Sequence, residues 1–348
     1  MKKKTFIGLT ALAVGVAAAP LADACTRILW NDNKLAVVAG RTMDFPVSTE
    51  PVLTVLPRGI EHDGGMFAGK RIDSENPARW TSKYGSIVTS VFGAGTADGV
   101  NEKGVAMHLL YFIPTDFGPR DPTKAGVHAA LWGQYVLDNA ASVQEAIALL
   151  ESIQPIMVDH QGIKATVHLA VEDTTGDSAI IEYVPGGKKS VYHSRDYRIM
   201  TNDPSYDQQL AYRANFNFDN ATRQTPIPGN TDAKDRFIRA YYYRQWLPEP
   251  KNTREAIASI LAIARNVSVP FGAPNRAPGS LYNTEYRTAI DLTNSRYYFE
   301  LTTSPNVIWM DLSKFDLTKD SPVLLLNPDD INLSGDVTKY FKPGKIGF

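Results

Sequence analysis

The sequence predicts an α+β protein in which antiparallel sheets pack against separate layers of helices. Three observations lead to this prediction. Strand-like segments come in hairpin runs, helix-like segments come in two pairs between those runs, and the chain does not follow the strict strand–helix alternation of a doubly wound sheet. The composition of 348 residues, 43% hydrophobic and 21% charged, is that of a globular chain and excludes a disordered or collagen-like one.

The strands are predicted from alternating or apolar runs bounded by turn residues. The turn cluster at residues 31–33 predicts a hairpin of residues 26–30 and 35–39. Further strands are predicted at residues 51–57, 86–92, 105–111, 166–171, 179–184, 288–292, 297–301 and 307–310. Residues 58–80 are predicted as a loop and residues 93–104 as turns, with Asp98-Gly99 and Lys103-Gly104 at their centres.

Helical periodicity predicts four helices, at residues 128–137, 142–153, 235–246 and 254–264. Ser142 and Glu145 form a capping box at the start of the second helix. Neither a low-complexity linker nor an internal repeat interrupts these elements. We therefore expect residues 25–348 to form one catalytic domain behind a removable leader.

The leader, residues 1–24, has the three-part layout of a secretory signal peptide. Lysines occupy positions 2–4, residues 6–19 are apolar and uncharged, and Ala22 and Ala24 are the small residues that a signal peptidase requires. The apolar run is too short to cross a bilayer comfortably, so no membrane span is predicted. Cleavage after Ala24 would make Cys25 the first residue of an exported protein.

Cys25 is the only cysteine in the chain, which excludes an intramolecular disulfide and a thiolate metal cluster. Three interpretations remain for a lone cysteine behind a leader. It is the free nucleophile of an enzyme, the lipid-modified anchor of a binding protein, or a thiol without a role. The anchor usually follows an aliphatic residue three positions earlier, and Ala22 with Asp23 is a poor match to that pattern.

Charge and histidine spacing exclude other classes of protein. The 36 basic and 37 acidic residues give a net charge of -1, whereas a nucleic-acid binder would carry a basic excess. The six histidines have no metal-ligand spacing. We therefore predict no nucleic-acid partner, no metal and no cofactor.

An N-terminal cysteine carries its own base, because its α-amine can take the proton of its thiol directly or through a water. The predicted hairpin returns the chain beside its own start, so Arg41 and Asp44 are expected to face Cys25. A guanidinium at that position would favour the thiolate, and a carboxylate could orient the ammonium.

Four segments in order resemble one known family. They are Cys25 with Arg41-Thr42-Met43-Asp44, the segment DGVNEKG at residues 98–104, Thr201-Asn202-Asp203-Pro204, and DRFIR at residues 235–239. Together they are similar to the choloylglycine hydrolase family, which contains penicillin V acylases and bile salt hydrolases. The resemblance covers residues 25 to about 310.

The resemblance implies an N-terminal nucleophile (Ntn) hydrolase fold, a four-layer αββα sandwich of antiparallel sheets. It also implies roles for particular residues. Cys25 would be the nucleophile and, through its amine, the base, with Arg41 and Asp44 assisting. Asn202 and the backbone N–H of Tyr111 would form the oxyanion hole, and Arg236 would complete the charged network.

The implied reaction is hydrolysis of a linear, non-peptide amide of a small-molecule substrate through an acyl-enzyme. Tyr111 lies where penicillin-acylase-like members often have Tyr and bile salt hydrolases usually have Asn, which favours penicillin V. Conjugated bile salts and N-acyl homoserine lactones are the alternatives. We expect an apolar acyl pocket with Met43 and Phe45 in its wall.

Exposure of Cys25 by a signal peptidase resembles the exported Gram-negative branch of the family and predicts a periplasmic enzyme. The segment between Asn202 and Arg236 is shorter than in Gram-positive members, which use an inserted arm there to hold a tetramer. A tetramer of that kind is therefore not expected, and another homo-oligomer remains open.

Overall fold

The structure is a computed structural model that describes residues 25–275 and 280–348; the predicted signal peptide at residues 1–24 lies outside them. The main strands are β1 (Thr26–Trp30), β2 (Val38–Phe45), β3 (Val52–Leu56), β4 (Ser86–Val91), β5 (Gly95–Asn101), β6 (Ala106–Tyr111), β7 (Val167–Glu172), β8 (Ser178–Val184), β9 (Lys188–His193), β10 (Ile199–Thr201), β11 (Leu281–Asp291), β12 (Arg296–Leu301), β13 (Ile308–Asp311) and β14 (Leu324–Leu326). The helices are α1 (Trp132–Asn139), α2 (Val143–Leu149), α3 (Tyr206–Arg213), α4 (Ala233–Gln245) and α5 (Thr253–Asn266).

Shorter pieces complete the described chain. The short strands are Glu61–Asp63, Met66–Phe67, Lys70–Arg71, Arg79–Thr81, Ala125–His128, Ile153–Ile156, Asp159–His160, Ile163–Lys164, Ala273–Pro274, Gly335–Asp336 and Lys342–Pro343. The 3-10 turns are Ala129–Leu131, Leu312–Lys314 and Thr338–Tyr340.

The strands form two large sheets. The first has the order β10-β1-β2-β11-β12-β13, and the second has the order β9-β8-β7-β6-β5-β4-β3-β14. Neighbouring strands in both of these runs are antiparallel. β1 and β2 therefore lie in the middle of the first sheet, which places the start of the described chain inside the molecule.

The two sheets stack face to face, with helices on both outer sides. Alternate residues of the second sheet face opposite ways, so that Leu110 packs in the core shared with the first sheet while Leu109 packs with α1. On the other side α5 lies close against β2, since a Cβ at Gly40 would lie 2.3 Å from Cγ2 of Ile260. The layers are thus helix, sheet, sheet, helix, as the family resemblance implied.

Several local predictions are confirmed. β1 and β2 form the predicted antiparallel hairpin, although β2 extends to Phe45 and so carries Arg41 and Asp44 within a buried strand. Oγ of Ser142 accepts a hydrogen bond from the backbone N–H of Glu145 at 3.1 Å and caps α2 as expected.

Other predictions are wrong. Asp98 and Gly99 lie in β5 and not in a turn, because the glycine permits close contact between strands: a Cβ at Gly99 would lie 2.4 Å from the carbonyl oxygen of Ile87. The helix predicted from residue 128 begins only at Trp132, since Ala125–His128 pairs as a strand with Ile153–Ile156. The sequence analysis also missed β9, β10, β14 and α3.

Candidate active site

The thiol of Cys25 lies immediately before β1, between the two sheets. Its Sγ is 3.9 Å from Sδ of Met43 and 3.9 Å from the carbonyl oxygen of Asp44, and the residue is buried. Burial raises the pKa of the Cys25 thiol above its ordinary value, while the positive charges of Arg41 and Arg236 oppose that rise. The thiol is therefore held in a setting where nearby cations decide whether it ionises.

Arg41 of β2 is the cation nearest to that thiol. Its Nη2 lies 3.4 Å from Sγ of Cys25, and its Nη1 donates to the carbonyl oxygens of Ala97 and Leu109 at 2.9 and 3.0 Å. These two carbonyls belong to the second sheet, so the Arg41 side chain bridges the sheets. The guanidinium has two terminal nitrogens: Nη1 binds the carbonyls of the second sheet, and Nη2 faces the sulfur.

Asp44, also on β2, is held by hydroxyl groups and by one cation. Oγ1 of Thr42 donates to its Oδ2 at 2.9 Å, Oγ1 of Thr284 donates to its Oδ1, and Nη1 of Arg236 lies 3.7 Å away. Burial raises the pKa of Asp44 to about 6, against the lowering effect of Arg236 and the two threonines. Asp44 therefore titrates close to neutral pH.

Asn202 follows β10 and joins three parts of the site. Its Oδ1 accepts from the backbone N–H of Cys25 and, at 3.0 Å, from Nη2 of Arg236, while its Nδ2 donates to the carbonyl oxygen of Tyr111 at 2.7 Å. One of the two amide N–H groups is thus engaged with Tyr111, and the predicted oxyanion role falls to the other. The side chain is fully buried.

Arg236 lies in the first turns of α4 and clamps the start of β1. Its Nη1 donates to the carbonyl oxygen of Cys25 at 2.7 Å and to Oγ1 of Thr26 at 2.6 Å, and its Nε donates to the carbonyl oxygen of Thr231 at 2.9 Å. Together with its contact to Asn202, these bonds fix the backbone that carries the thiol.

Tyr111 ends β6, beside Asn202, and its ring meets that of Phe45 edge to face with centroids 6.1 Å apart. The sequence analysis assigned an oxyanion role to its backbone N–H, and that role remains a prediction. The structure thus brings the six predicted site residues together in one place: Cys25, Arg41, Asp44, Tyr111, Asn202 and Arg236.

Cys25 lines an apolar pocket of about 790 Å³, a volume that includes its part open to solvent. Met43 and Phe45, which the sequence suggested for its wall, both line it. Phe45 also meets Phe92 edge to face at 6.0 Å, and Phe92 approaches His160 of the Asp159–His160 strand at 6.0 Å. An apolar, ring-lined cavity next to a thiol is suited to hold the acyl part of a substrate.

Sequence reasoning missed Thr284, Ala97 and Leu109. Thr284 reaches Asp44 because β11 pairs with β2, where a β-bulge between Met43 and Asp44 shifts the register. Ala97 and Leu109 act through backbone carbonyls, for which residue type carries little information. The DGVNEKG segment overlaps β5, but it was predicted as turns and was left out of the site.

Comparisons with known proteins show the family of the chain. Residues 25–326 match the family of linear amide C-N hydrolases called the choloylglycine hydrolase family. The penicillin V acylase of Pectobacterium atrosepticum is 36% identical, over 97% of this chain and 94% of its own length. A conjugated bile acid hydrolase of Lactobacillus gasseri is 21% identical, over 80% of this chain and 95% of its own.

Solved structures give the same result. The penicillin V acylase from Agrobacterium tumefaciens is 36% identical, with a TM-score of 0.82 over 92% of this chain and 98% of that one. A variant of the conjugated bile acid hydrolase from Clostridium perfringens is 19% identical, with a TM-score of 0.75 over 90% of this chain and 99% of that one. The latter likeness concerns the fold.

The layers and these neighbours define an Ntn-hydrolase fold. The chain belongs to the choloylglycine hydrolase family and is a hydrolase of carbon–nitrogen bonds in linear amides. Within the described residues, none of the helices has the length and apolar character needed to cross a membrane.

Proposed function

We propose that this protein is an exported cysteine amidohydrolase whose nucleophile is Cys25 and whose preferred substrate is penicillin V or a similar aryl-acyl amide. The observation that carries the proposal is the position of the thiol: Sγ of Cys25 lies 3.4 Å from Nη2 of Arg41, and Cys25 also lines the apolar pocket. A substrate with its acyl group in that pocket would present its carbonyl carbon to the sulfur.

The reaction follows from the groups around the thiol. After cleavage behind Ala24, the α-amine of Cys25 takes the thiol proton, and the thiolate attacks the carbonyl carbon. The oxyanion that forms is stabilised by donors beside the thiol, for which Asn202 and the Tyr111 backbone N–H are the candidates. The C–N bond then breaks as the leaving amine takes the proton, and a thioester remains on Cys25.

The second half releases the acid. A water molecule gives a proton to the α-amine and attacks the thioester. The C–S bond then breaks, the carboxylic acid forms, and the sulfur takes the proton back from the amine. Arg236 and Asn202 hold the backbone and amine of Cys25 in one orientation through both halves, since both contact that residue directly. Asp44 lies 3.7 Å from Arg236 and balances its charge.

The acyl preference rests on the aromatic wall. Phe45 meets the rings of both Tyr111 and Phe92 edge to face, and a phenoxyacetyl ring fits such a wall because aromatic rings favour edge contacts. The similarity to two penicillin V acylases at 36% identity supports the same choice.

The lipid-anchor alternative fits the site poorly. A lipid attached to Cys25 would have to extend from the protein surface into a membrane. Cys25, however, is only 2% exposed, and its backbone N–H is hydrogen bonded to Asn202. The signal-peptide pattern supports export to the periplasm, and a signal peptidase would then serve as the maturation partner. The mass of the mature protein tests the cleavage behind Ala24 and the absence of a lipid. The proposal predicts a free N-terminal Cys25 with no added lipid.

A hydrolysis panel tests the substrate assignment. Penicillin V, glycocholate, taurocholate and an N-acyl homoserine lactone are offered at equal concentration, and release of the amine is followed. We expect penicillin V to give the highest kcat/KM and Cys25→Ser to be processed but nearly inactive. A bile salt or a lactone as the best substrate would overturn the acyl preference, and full activity of Cys25→Ser would overturn the nucleophile.

A further inference from the structure

Two buried guanidinium groups are neighbours on β1 and β2. Arg27 is paired directly with Arg41 across the antiparallel ladder, and both side chains are fully buried. Residues at directly opposed positions share one face of a sheet, and like charges there destabilise it. Anions must therefore face this pair from the second sheet.

The second sheet supplies two anions, Glu172 and Asp98, with His108 between them. Glu172 of β7 accepts from Nη2 of Arg27 at 2.7 Å, and its other oxygen lies 2.7 Å from Nε2 of His108 on β6. Nδ1 of His108 lies 3.7 Å from Oδ2 of Asp98 on β5. We call Arg27, Arg41, Asp98, His108 and Glu172 the intersheet charge cluster; its five side chains are fully buried.

Nε2 of His108 lies within hydrogen-bond distance of Glu172, while Nδ1 makes no hydrogen bond among the described residues and has Asp98 at ion-pair distance. Two carboxylates beside one ring suit the imidazolium, in which both nitrogens carry a proton. Burial lowers the pKa of His108, but Glu172 and Asp98 outweigh burial and raise it above the ordinary value. Burial raises the pKa of Asp98 and of Glu172, but the facing cations outweigh it and hold both below their ordinary values.

Asp98 is fixed from the first sheet as well. Thr288 of β11 donates to its Oδ2 at 2.6 Å, and the hydroxyl of Tyr297 on β12 donates to its Oδ1 at 2.8 Å. Tyr286 of β11 is also buried there, and its pKa lies well above the ordinary value because of burial. Burial likewise raises the pKa of Tyr297 well above its ordinary value. Both tyrosines are therefore uncharged, and the charge of the cluster comes from its five named members.

A β-bulge connects the cluster to the thiol. Thr89 pairs with Asp98 and Ser90 pairs with Thr96, which leaves Ala97 as the extra residue of β5. The carbonyl of Ala97 accepts from Nη1 of Arg41 at 2.9 Å. Consecutive residues of β5 thus hold Arg41 and face His108.

We propose that His108 is a positioning residue for the hydrolysis: as an imidazolium it gives the intersheet charge cluster three cations against two anions, so that the cluster is balanced when the Cys25 thiolate forms. The proposal rests on Cys25 as the nucleophile. It acts through Arg41, the cluster member that touches the sulfur. Asp44 and Arg236, the other charged side chains near Cys25, offset each other, and the α-amine of Cys25 adds a positive charge only while it holds the thiol proton.

The test is the pH dependence of alkylation of Cys25 by iodoacetamide, which reports the thiol because the chain has one cysteine. We expect His108→Gln to move the midpoint upward, because the variant removes one positive charge from the cluster that contains Arg41. His168→Gln is the matched control, because it also removes a buried imidazole from the second sheet, one that lies 2.9 Å from Glu182. An unchanged midpoint in His108→Gln, or an equal shift in both variants, would overturn the proposal.

A second measurement uses the unaltered protein and does not depend on a variant that folds. In ¹⁵N spectra of the imidazoles at pH 7, we expect His108 to be protonated at both nitrogens; a neutral ring would overturn the proposal. Both measurements are independent of turnover. Activity of Cys25→Ser would refute the nucleophile assignment, while the alkylation midpoints would still report the effect of His108 on the thiol.

Discussion

Nη2 of Arg41 lies 3.4 Å from Sγ of Cys25, and the same guanidinium holds the carbonyls of Ala97 and Leu109 in the opposite sheet. Its position is therefore fixed by the stacking of the two sheets as well as by β2. Burial lowers the pKa of Arg41, but its interactions with the ionisable groups of Cys25, Tyr286 and Asp98 outweigh burial and raise it, so this cation is permanent. The thiol thus has a fixed positive charge beside it, which counters the effect of burial.

Arg41→Lys keeps the positive charge but loses the two terminal nitrogens of the guanidinium. A lysine cannot reach both carbonyls and the sulfur, because its ammonium is a single point of charge. We expect kcat/KM to fall about 10²-fold, the size of effect that a small misplacement in an active site produces. Arg58→Lys, at a half-exposed position paired with Glu102, is the control and should retain activity. Activity of Arg41→Lys within twofold of the wild type would contradict the assigned role.

Protonation of Asp44 is predicted to set the acidic side of the pH dependence of kcat/KM. Because burial raises the pKa of Asp44 to about 6, its carboxylate gains a proton and loses its attraction to Arg236 as the pH falls through that value. We expect kcat/KM to decrease below about pH 6 and this part of the profile to flatten in Asp44→Asn, with lower activity throughout. A wild-type profile that stays level down to pH 4.5 would contradict this account.

The stability of the wild type and of Asp44→Asn gives an independent check on the raised pKa of Asp44. A carboxyl whose folded pKa of about 6 exceeds its ordinary 3.8 stabilises the fold below pH 3.8, and that stability is lost as the pH rises to about 6. The free energy of unfolding of the wild type, relative to Asp44→Asn, should therefore fall by up to about 3 kcal/mol between pH 4 and pH 7. Urea titrations at several pH values measure this difference.

Thr284 is predicted to tune Asp44. Its hydroxyl donates to Asp44 and accepts from the backbone N–H of Val269 at 2.8 Å. Removing that donor in Thr284→Val should raise the pKa of Asp44 further and move the acidic limb of kcat/KM upward by about half to one pH unit. Thr284→Ser retains the hydroxyl and should restore the wild-type profile. If the serine and valine variants have the same profile, the hydroxyl has no such effect.

Tyr111 is predicted to influence the choice of acyl group. Tyr111→Asn removes the ring that meets Phe45 and places an amide in the pocket wall. We expect the ratio of kcat/KM for penicillin V to that for glycocholate to fall about tenfold, since ring contacts of this kind contribute about 0.5–1.5 kcal/mol. Tyr340→Asn, at an exposed position, is the control. An unchanged ratio would remove Tyr111 from the account of specificity.

Alternation and turn residues were enough to predict antiparallel sheets and most of the strands, whereas the order of the four layers was implied by the family resemblance. The prediction failed at β5, whose Asp98-Gly99 pair has the composition of a turn. The structure uses that glycine for close strand contact and that aspartate for a buried charge. Local composition could not reveal either use, since both depend on strands that are distant in the chain.

The predicted site residues came from motifs and from the hairpin that returns Arg41 to Cys25. What the sequence could not predict are the parts that depend on register. Ala97 contributes a carbonyl at a bulge, and Thr284 reaches Asp44 only through the pairing of β11 with β2. A shift of one residue in either pairing would point these groups away from the site. A bulge cannot be predicted from residue type alone.

The most direct test of the central claim is the mass of the peptide that begins at Cys25, taken from enzyme quenched in acid during turnover of penicillin V. The account predicts a phenoxyacetyl group on the sulfur of Cys25 in a peptide whose α-amine is free. Turnover with the acyl group on another residue, or with residues 1–24 still attached to the active protein, would contradict it.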